Sequence, residues 1–161
     1  MIPILFLSLA ITAVRTPPAN WKTVKDSEGL CQIAVPPDWD MLYETDGAAT
    51  FHDVTTAIAV VTSQPNQRFK PLPDNLLKLL AIPKDKLFEN TPKRVFYQDK
   101  ISRNPEEPNA LSASVPGKTG TCSCHIVALP SIPEATTKAI ALSLSPVAPP
   151  AETSGPAPGS K

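Results

Sequence analysis

This chain has few glycines, an odd number of cysteines, no excess charge of either sign and no apolar run long enough to cross a bilayer. Six glycines in 161 residues leave little material for a glycine-rich phosphate cradle, and G-x-S-x-G, H-E-x-x-H and C-x-x-C are all missing. The sequence therefore offers no ready-made catalytic motif and calls for no cofactor. Fifteen basic and fifteen acidic residues cancel, so the chain lacks the positive footprint that holds nucleic-acid phosphates or anionic lipid. Its densest basic stretch, Lys84 to Arg103, has Asp85, Glu89 and Asp99 interleaved and reads as a solvated surface. Three cysteines exclude a disulfide framework and allow at most one internal bridge with a thiol left over. The apolar run from Ile2 to Val14 falls short of the ~20 residues that a helix needs to span a hydrocarbon core of ~30 Å.

Proline, by contrast, is abundant: twenty residues, against a usual share of about 5%, mark breaks along the chain. The Ile2 to Val14 run has the length of a signal-peptide core, and RTPPAN (15–20) reads as a linker after it. Residues 1–20 are therefore expected to be a signal peptide and linker, the product being secreted or periplasmic with no stable membrane span after processing. No cysteine ends the run, so a lipid anchor is not expected. Residues 21–145 suffice for a single domain with one core, 42% of the chain being hydrophobic. Residues 146–161 hold five prolines and no aromatic residue, and are expected to be a disordered Pro/Ala-rich tail.

The domain reads as an alternation of strands with two helices. WKTVKD (21–26) and LCQIAV (30–35) form a first strand pair across Ser27, Glu28 and Gly29, and Pro36 and Pro37 stop the second strand. Pro37 and Asp38 suit a turn that delivers Trp39 back onto the core, where it and Trp21 serve as packing anchors. Ala48 to His52 and Thr55 to Ser63 read as the third and fourth strands, joined at His52 and Asp53, and the AIAVV run is apolar on both faces as a central strand requires. Asp74 occupies an N-cap position before NLLKLLAI, with Leu76, Leu79 and Leu80 as the buried stripe and Pro83 as the stop. Asp85 to Glu89 adds a turn of helix, Lys93 to Asp99 an edge strand, and Asn109 to Val115 a further strand that turns at Pro116 to Gly120. Thr121 to Leu129 carries apolar residues at both alternating sets and belongs inside the sheet. Ser131 and Glu134 have the spacing of a capping box, which starts the last helix near Ile132. Thr137, Ile140, Ala141 and Leu144 then form one stripe that can lie on a sheet, until Pro146 ends it.

Cysteine and histidine are the residues with chemical potential. Cys122 and Cys124 are two apart on a strand and share a face, while Cys31 sits on an apolar face of another strand. They can be small core hydrophobes, a bridge between Cys31 and either Cys122 or Cys124, or zinc ligands together with a histidine. Zinc suits the spacing poorly, because C-x-C within a strand separates the sulfurs by roughly 6 to 7 Å rather than folding them into a knuckle. His125 faces away from Cys124, so a Cys/His enzyme would have to recruit His52. Glu106 and Glu107 lie in a polar loop and read as solvated charge. No catalytic, cofactor-binding or metal-binding residue is assigned; Cys31, Cys122 and Cys124 stand as disulfide candidates.

The opening W-x-T-V, the VPPDW corner at Trp39 and the last strand followed by a helix ending in Ser143 and Leu144 together resemble the PsbP/Mog1-like group of small extracytoplasmic proteins. The resemblance covers about Trp21 to Leu144. It implies an α+β fold, an antiparallel β-sheet packed by helices as an α/β/α sandwich, and an adaptor role without shared catalytic residues. The expected function is thus a noncatalytic accessory or binding module for an unknown protein or small ligand, without nucleic acid. The alternative is a thiol-dependent enzyme or metal binder using Cys31, Cys122, Cys124 and a histidine. N-terminal sequencing of exported material should begin between about Ile11 and Trp21; intact Met1 in a cytosolic fraction would refute the signal reading.

Overall fold

The computed structural model describes residues 16–100, 104 and 106–148. The expected signal segment, and the expected tail beyond Ala148, lie outside the described residues. Strands β1 (Lys22–Lys25), β2 (Cys31–Val35) and β10 (Ser145–Pro146) make a small sheet in the order β1-β2-β10. Strands β3 (Asp40–Thr45), β4 (Ala48–His52), β5 (Ala57–Pro65), β6 (Leu87–Asn90), β7 (Val95–Lys100), β8 (Asn109–Pro116) and β9 (Gly120–Ala128) make a seven-stranded sheet. Its order is β3-β4-β5-β9-β8-β7-β6, and every pairing in both sheets is antiparallel. The helices are α1 (Asp74–Leu79) and α2 (Glu134–Leu142). The chain is thus mostly antiparallel sheet with few helices.

β5 and β9 form the centre, paired from Ala57↔Ala128 to Pro65↔Gly120. Both carry apolar residues on their alternating positions, which is what a strand flanked on two sides requires. Gly120 is needed at the end of this ladder, since a Cβ there would collide with the Gln64 carbonyl. One face of the large sheet, called here the inner face, presents Ala59, Val61, Leu111, Ala113, Cys122, Cys124 and Ile126, all buried. Cys31, Ile33 and Val35 of β2, Trp39, and Ile140 and Ala141 of α2 complete the same core, with Leu144 beyond the helix.

Polar links fasten these layers. A disulfide joins Cys31 of β2 to Cys122 of β9. Asp26 Oδ1 accepts hydrogen bonds from the N–H groups of Leu30 and Cys31, both at 2.8 Å, which fixes the turn leading into β2. Ser143 Oγ accepts from the Ala34 N–H at 2.7 Å and donates to the Ile140 carbonyl at 2.6 Å, coupling the end of α2 to β2. Arg94 Nη2 donates to the Leu142 carbonyl at 3.2 Å, tying the same helix end to the start of β7.

Several expectations are corrected. The capping box does not form: Pro133 is the N-cap of α2, without a side-chain cap bond, and its carbonyl accepts from Thr136 and Thr137. The helix therefore begins at Glu134 rather than near Ile132, although Thr137, Ile140, Ala141 and Leu144 are buried as its spacing requires. Pro73, not Asp74, caps α1, which has no buried residue; Leu79 is 79% exposed and Leu80 43%, so the expected Leu76, Leu79 and Leu80 stripe does not dock. Asp85 to Glu89 is not helical throughout, because a 3-10 turn at Lys84–Lys86 gives way to β6. β6 thereby takes the sheet edge expected of Lys93 to Asp99, and β7 lies one place inside. β3 answers to no expected strand, and Pro146 of the expected tail joins Ser145 in β10, with Val147 N–H donating to the Leu30 carbonyl at 2.9 Å.

Ile140→Asp should destabilise the fold by more than the about 1.5 to 3 kcal/mol of lost burial, because it also places an unpaired charge against the inner face. Cys124→Ser keeps nearly the same volume and should cost less. Urea denaturation of both variants checks this; a neutral Ile140→Asp would mean that α2 is not docked as described.

Candidate functional site

The face of the large sheet away from β2 and α2, its outer face, is built by the second set of alternating residues. Register aligns Tyr97 of β7 with Ser112 of β8 and His125 of β9, and aligns Ser114 with Ser123 one step along. Asp99 sits at a bulge between Gln98 and Lys100, from which its carboxylate reaches Ser112 on this face. Ser112 Oγ donates to Asp99 Oδ2 at 2.5 Å and lies 2.9 Å from His125 Nδ1, which is itself 3.1 Å from Asp99 Oδ2. Ser114 Oγ and Ser123 Oγ are 3.0 Å apart. Burial, then the Asp99 carboxylate, raise the Tyr97 pKa above its ordinary 10.0.

Beside this network the connection from β5 to α1 folds over the sheet and forms a cleft of about 330 Å³. Tyr97, Ser114 and Ser123 lie at its floor; Arg68, Phe69 and Lys70 lie in its wall. The wall is anchored at both ends. Thr121 Oγ1 donates to the Gln67 carbonyl at 2.6 Å, while Asn90 exchanges two hydrogen bonds with the Leu72 backbone at 2.8 and 3.0 Å. Tyr97 borders both the cleft and the Asp99 network, so the two are continuous.

A second cleft, of about 310 Å³, opens at the start of α2 over Leu111 and Ile126. Its charged lining is Lys86 and Glu134; Lys138 Nζ, outside the lining, lies 2.6 Å from Glu134 Oε1, and this bond, with Lys86 nearby, lowers the Glu134 pKa.

The residues singled out by chemistry in the sequence are not gathered into one site, although one of the expected bridges, Cys31 to Cys122, is formed. Cys31 and Cys122 are consumed by the disulfide, and Cys124 is buried, its thiol pushed up to about 12 by desolvation. A thiol in that state is not a nucleophile at neutral pH. His125 lies on the outer face, across the sheet from Cys122 and Cys124, and His52 Nδ1 accepts the Val54 N–H at 2.9 Å. Among the described residues no group of three or more His, Cys, Asp or Glu side chains is placed to hold a metal. Alternation in the sequence did put Ser112 and Ser114 on one face of their strand; the partnership with Asp99 and His125 depends on cross-strand register.

The Tyr97 shift carries a sign that can be read. A folded-state pKa above the unfolded value makes the neutral phenol a stabilising species, whose contribution is complete below about pH 10 and is lost as pH rises through the folded value. Ultraviolet titration should show Tyr97 ionising above its ordinary range. Asp99→Asn should reduce the shift without abolishing it, since burial is the larger cause; an unshifted Tyr97 in the parent would contradict the geometry.

No protein-family model matches this chain, and no curated protein matches it. A crystal structure of a protein from Bacteroides thetaiotaomicron VPI-5482 is similar, with a TM-score of 0.52 at 10% sequence identity. The match covers 80% of this chain and 49% of that one, so this chain spans about half the length of the protein it resembles, and the likeness is one of fold.

Proposed function

We propose that this chain is a noncatalytic binding module of an oxidising compartment, secreted or periplasmic, and that its outer face and cleft recognise a protein or small ligand. The observation that carries the reading is how Asp99 sits between Ser112 and His125. In a hydrolytic triad the carboxylate holds one imidazole nitrogen while the other takes the serine proton. Here the serine donates to the carboxylate itself, and a single nitrogen, Nδ1, faces both partners. One nitrogen cannot be held by the carboxylate and take the serine proton at the same time, so the trio lacks the two-nitrogen relay of a triad and serves to fix side chains on the sheet face. What is left for chemistry is recognition: hydroxyls at the floor of a walled cleft, with Arg68 and Lys70 beside it.

The buried Cys31–Cys122 bridge supports the choice of compartment, because such bonds persist where thiols are not kept reduced. Kinship with the PsbP/Mog1-like group belongs to the same proposal, supported by the antiparallel sheet and by a helix after the last long strand; an adaptor role follows from it. Capture from the host's envelope fraction should retain a ligand on the parent chain and lose it on Ser123→Tyr, which fills the cleft. Equal capture by both would overturn the surface assignment, and labelling of Ser112 by a fluorophosphonate would overturn the noncatalytic reading.

A further inference from the structure

The cleft over the outer face carries charge of one sign. Among the described residues that line it, Arg68 and Lys70 are charged, and no aspartate or glutamate joins them. Both are exposed, and neither takes part in an ion pair among the described residues. In a chain whose basic and acidic residues cancel, the cleft thus holds a local excess of positive charge beside a concave surface. The two cations flank Phe69 in a connection pinned at Gln67 and Leu72, so the wall that carries them is held in place. Asp99, beyond Tyr97, is occupied by Ser112 and His125.

The floor supplies a hydrogen-bond donor and an apolar bed. Ser114 Oγ and Ser123 Oγ share one hydrogen bond, so whichever accepts it keeps its own O–H to donate. The Tyr97 hydroxyl is engaged by Ser112 and Asp99, which leaves its ring to border the cleft. Phe69, Leu72 and Leu76 are half-buried there, and Val95 is buried. We infer that this cleft takes a small organic carboxylate, its anionic head held by Arg68 and Lys70 and its ring lying against Tyr97 and Phe69. The inference rests on the reading of the cleft as a recognition site and adds the ligand's class. A guanidinium fork matches a carboxylate in shape as well as charge. A phosphate is better served by the backbone N–H groups of a glycine-containing nest, and no glycine is among the described residues of the lining. The volume of about 330 Å³ is near the lower end of ligand sites, which run from about 300 to 1,000 Å³, and fits a small ring rather than a polymer.

Titration of the full 161-residue chain with phenylpropionate, followed by NMR, checks the assignment, with phenylpropionamide as the uncharged counterpart. The acid should shift the Arg68, Lys70, Ser114 and Ser123 amides in a saturable way, and the amide should bind about tenfold more weakly. Arg68→Gln combined with Lys70→Gln should bring the affinity for the acid down to that for the amide, leave the amide's unchanged and keep the parent's melting temperature. Lys25→Gln, which removes a cation from β1, should alter neither affinity. Added salt should weaken the acid alone. Equal affinities for acid and amide, or acid binding indifferent to the double variant, would overturn the anion assignment and leave the cleft as a recognition site, whose separate test is Ser123→Tyr. Absence of shifts with either compound would overturn the ligand class, and tighter binding of phenyl phosphate would overturn the choice of carboxylate.

Discussion

The bridge between Cys31 and Cys122 is the constraint around which the rest is arranged. It fastens the small sheet to β9, the central strand of the large one, and links residues 91 apart in sequence. Closing a loop of that length in the unfolded chain removes entropy worth about 4 to 5 kcal/mol in the chain-entropy picture. That matters for a domain with little helix and one layered core. β2 is only five residues long and has to cover the inner face between β5 and β9. Without the bridge, β2 would be held by Ile33, Val35, the ladder to β1, the short contact with β10 and single hydrogen bonds such as that from the Ala34 N–H to Ser143 Oγ.

The inner face and the outer face divide the labour. Cysteines, aliphatic side chains and Trp39 go inward and carry stability; Ser112, Ser114, Ser123, Tyr97, Asp99 and His125 go outward and form the surface proposed for recognition. The sheet between them explains why thiols and His125 never meet, even though Cys124 and His125 are adjacent in sequence. Period-two alternation sends neighbours to opposite faces. Burial alone then keeps the remaining thiol protonated, while hydrogen bonding to Asp99 orients Ser112 and His125.

How much of this could be read beforehand follows from where each element draws its stability. β5 and β9 were legible because both alternating sets are apolar, and the stripe of α2 because Thr137, Ile140, Ala141 and Leu144 recur at helical spacing. The start of α2 was misread because Ser131 and Glu134 match a capping box while Pro133, between them, sets the first turn. β3 was not legible at all: DMLYET has no alternation and none of its side chains is buried, so it exists through pairing with β4. The Asp99, Ser112 and His125 trio was equally hidden, since it requires the register of three strands, and no local pattern reports that. Leu79 and Leu80 misled in the opposite sense, as an apolar stripe on a helix too short to reach a core.

The measurement that bears most directly on this picture is urea denaturation of the oxidised chain beside a Cys31→Ala, Cys122→Ala variant. The bridged chain should be more stable by about 4 to 5 kcal/mol, with the variant losing the small sheet first, seen as early exposure of Trp39. Coincident unfolding curves would contradict the claim that the bridge holds the two sheets together.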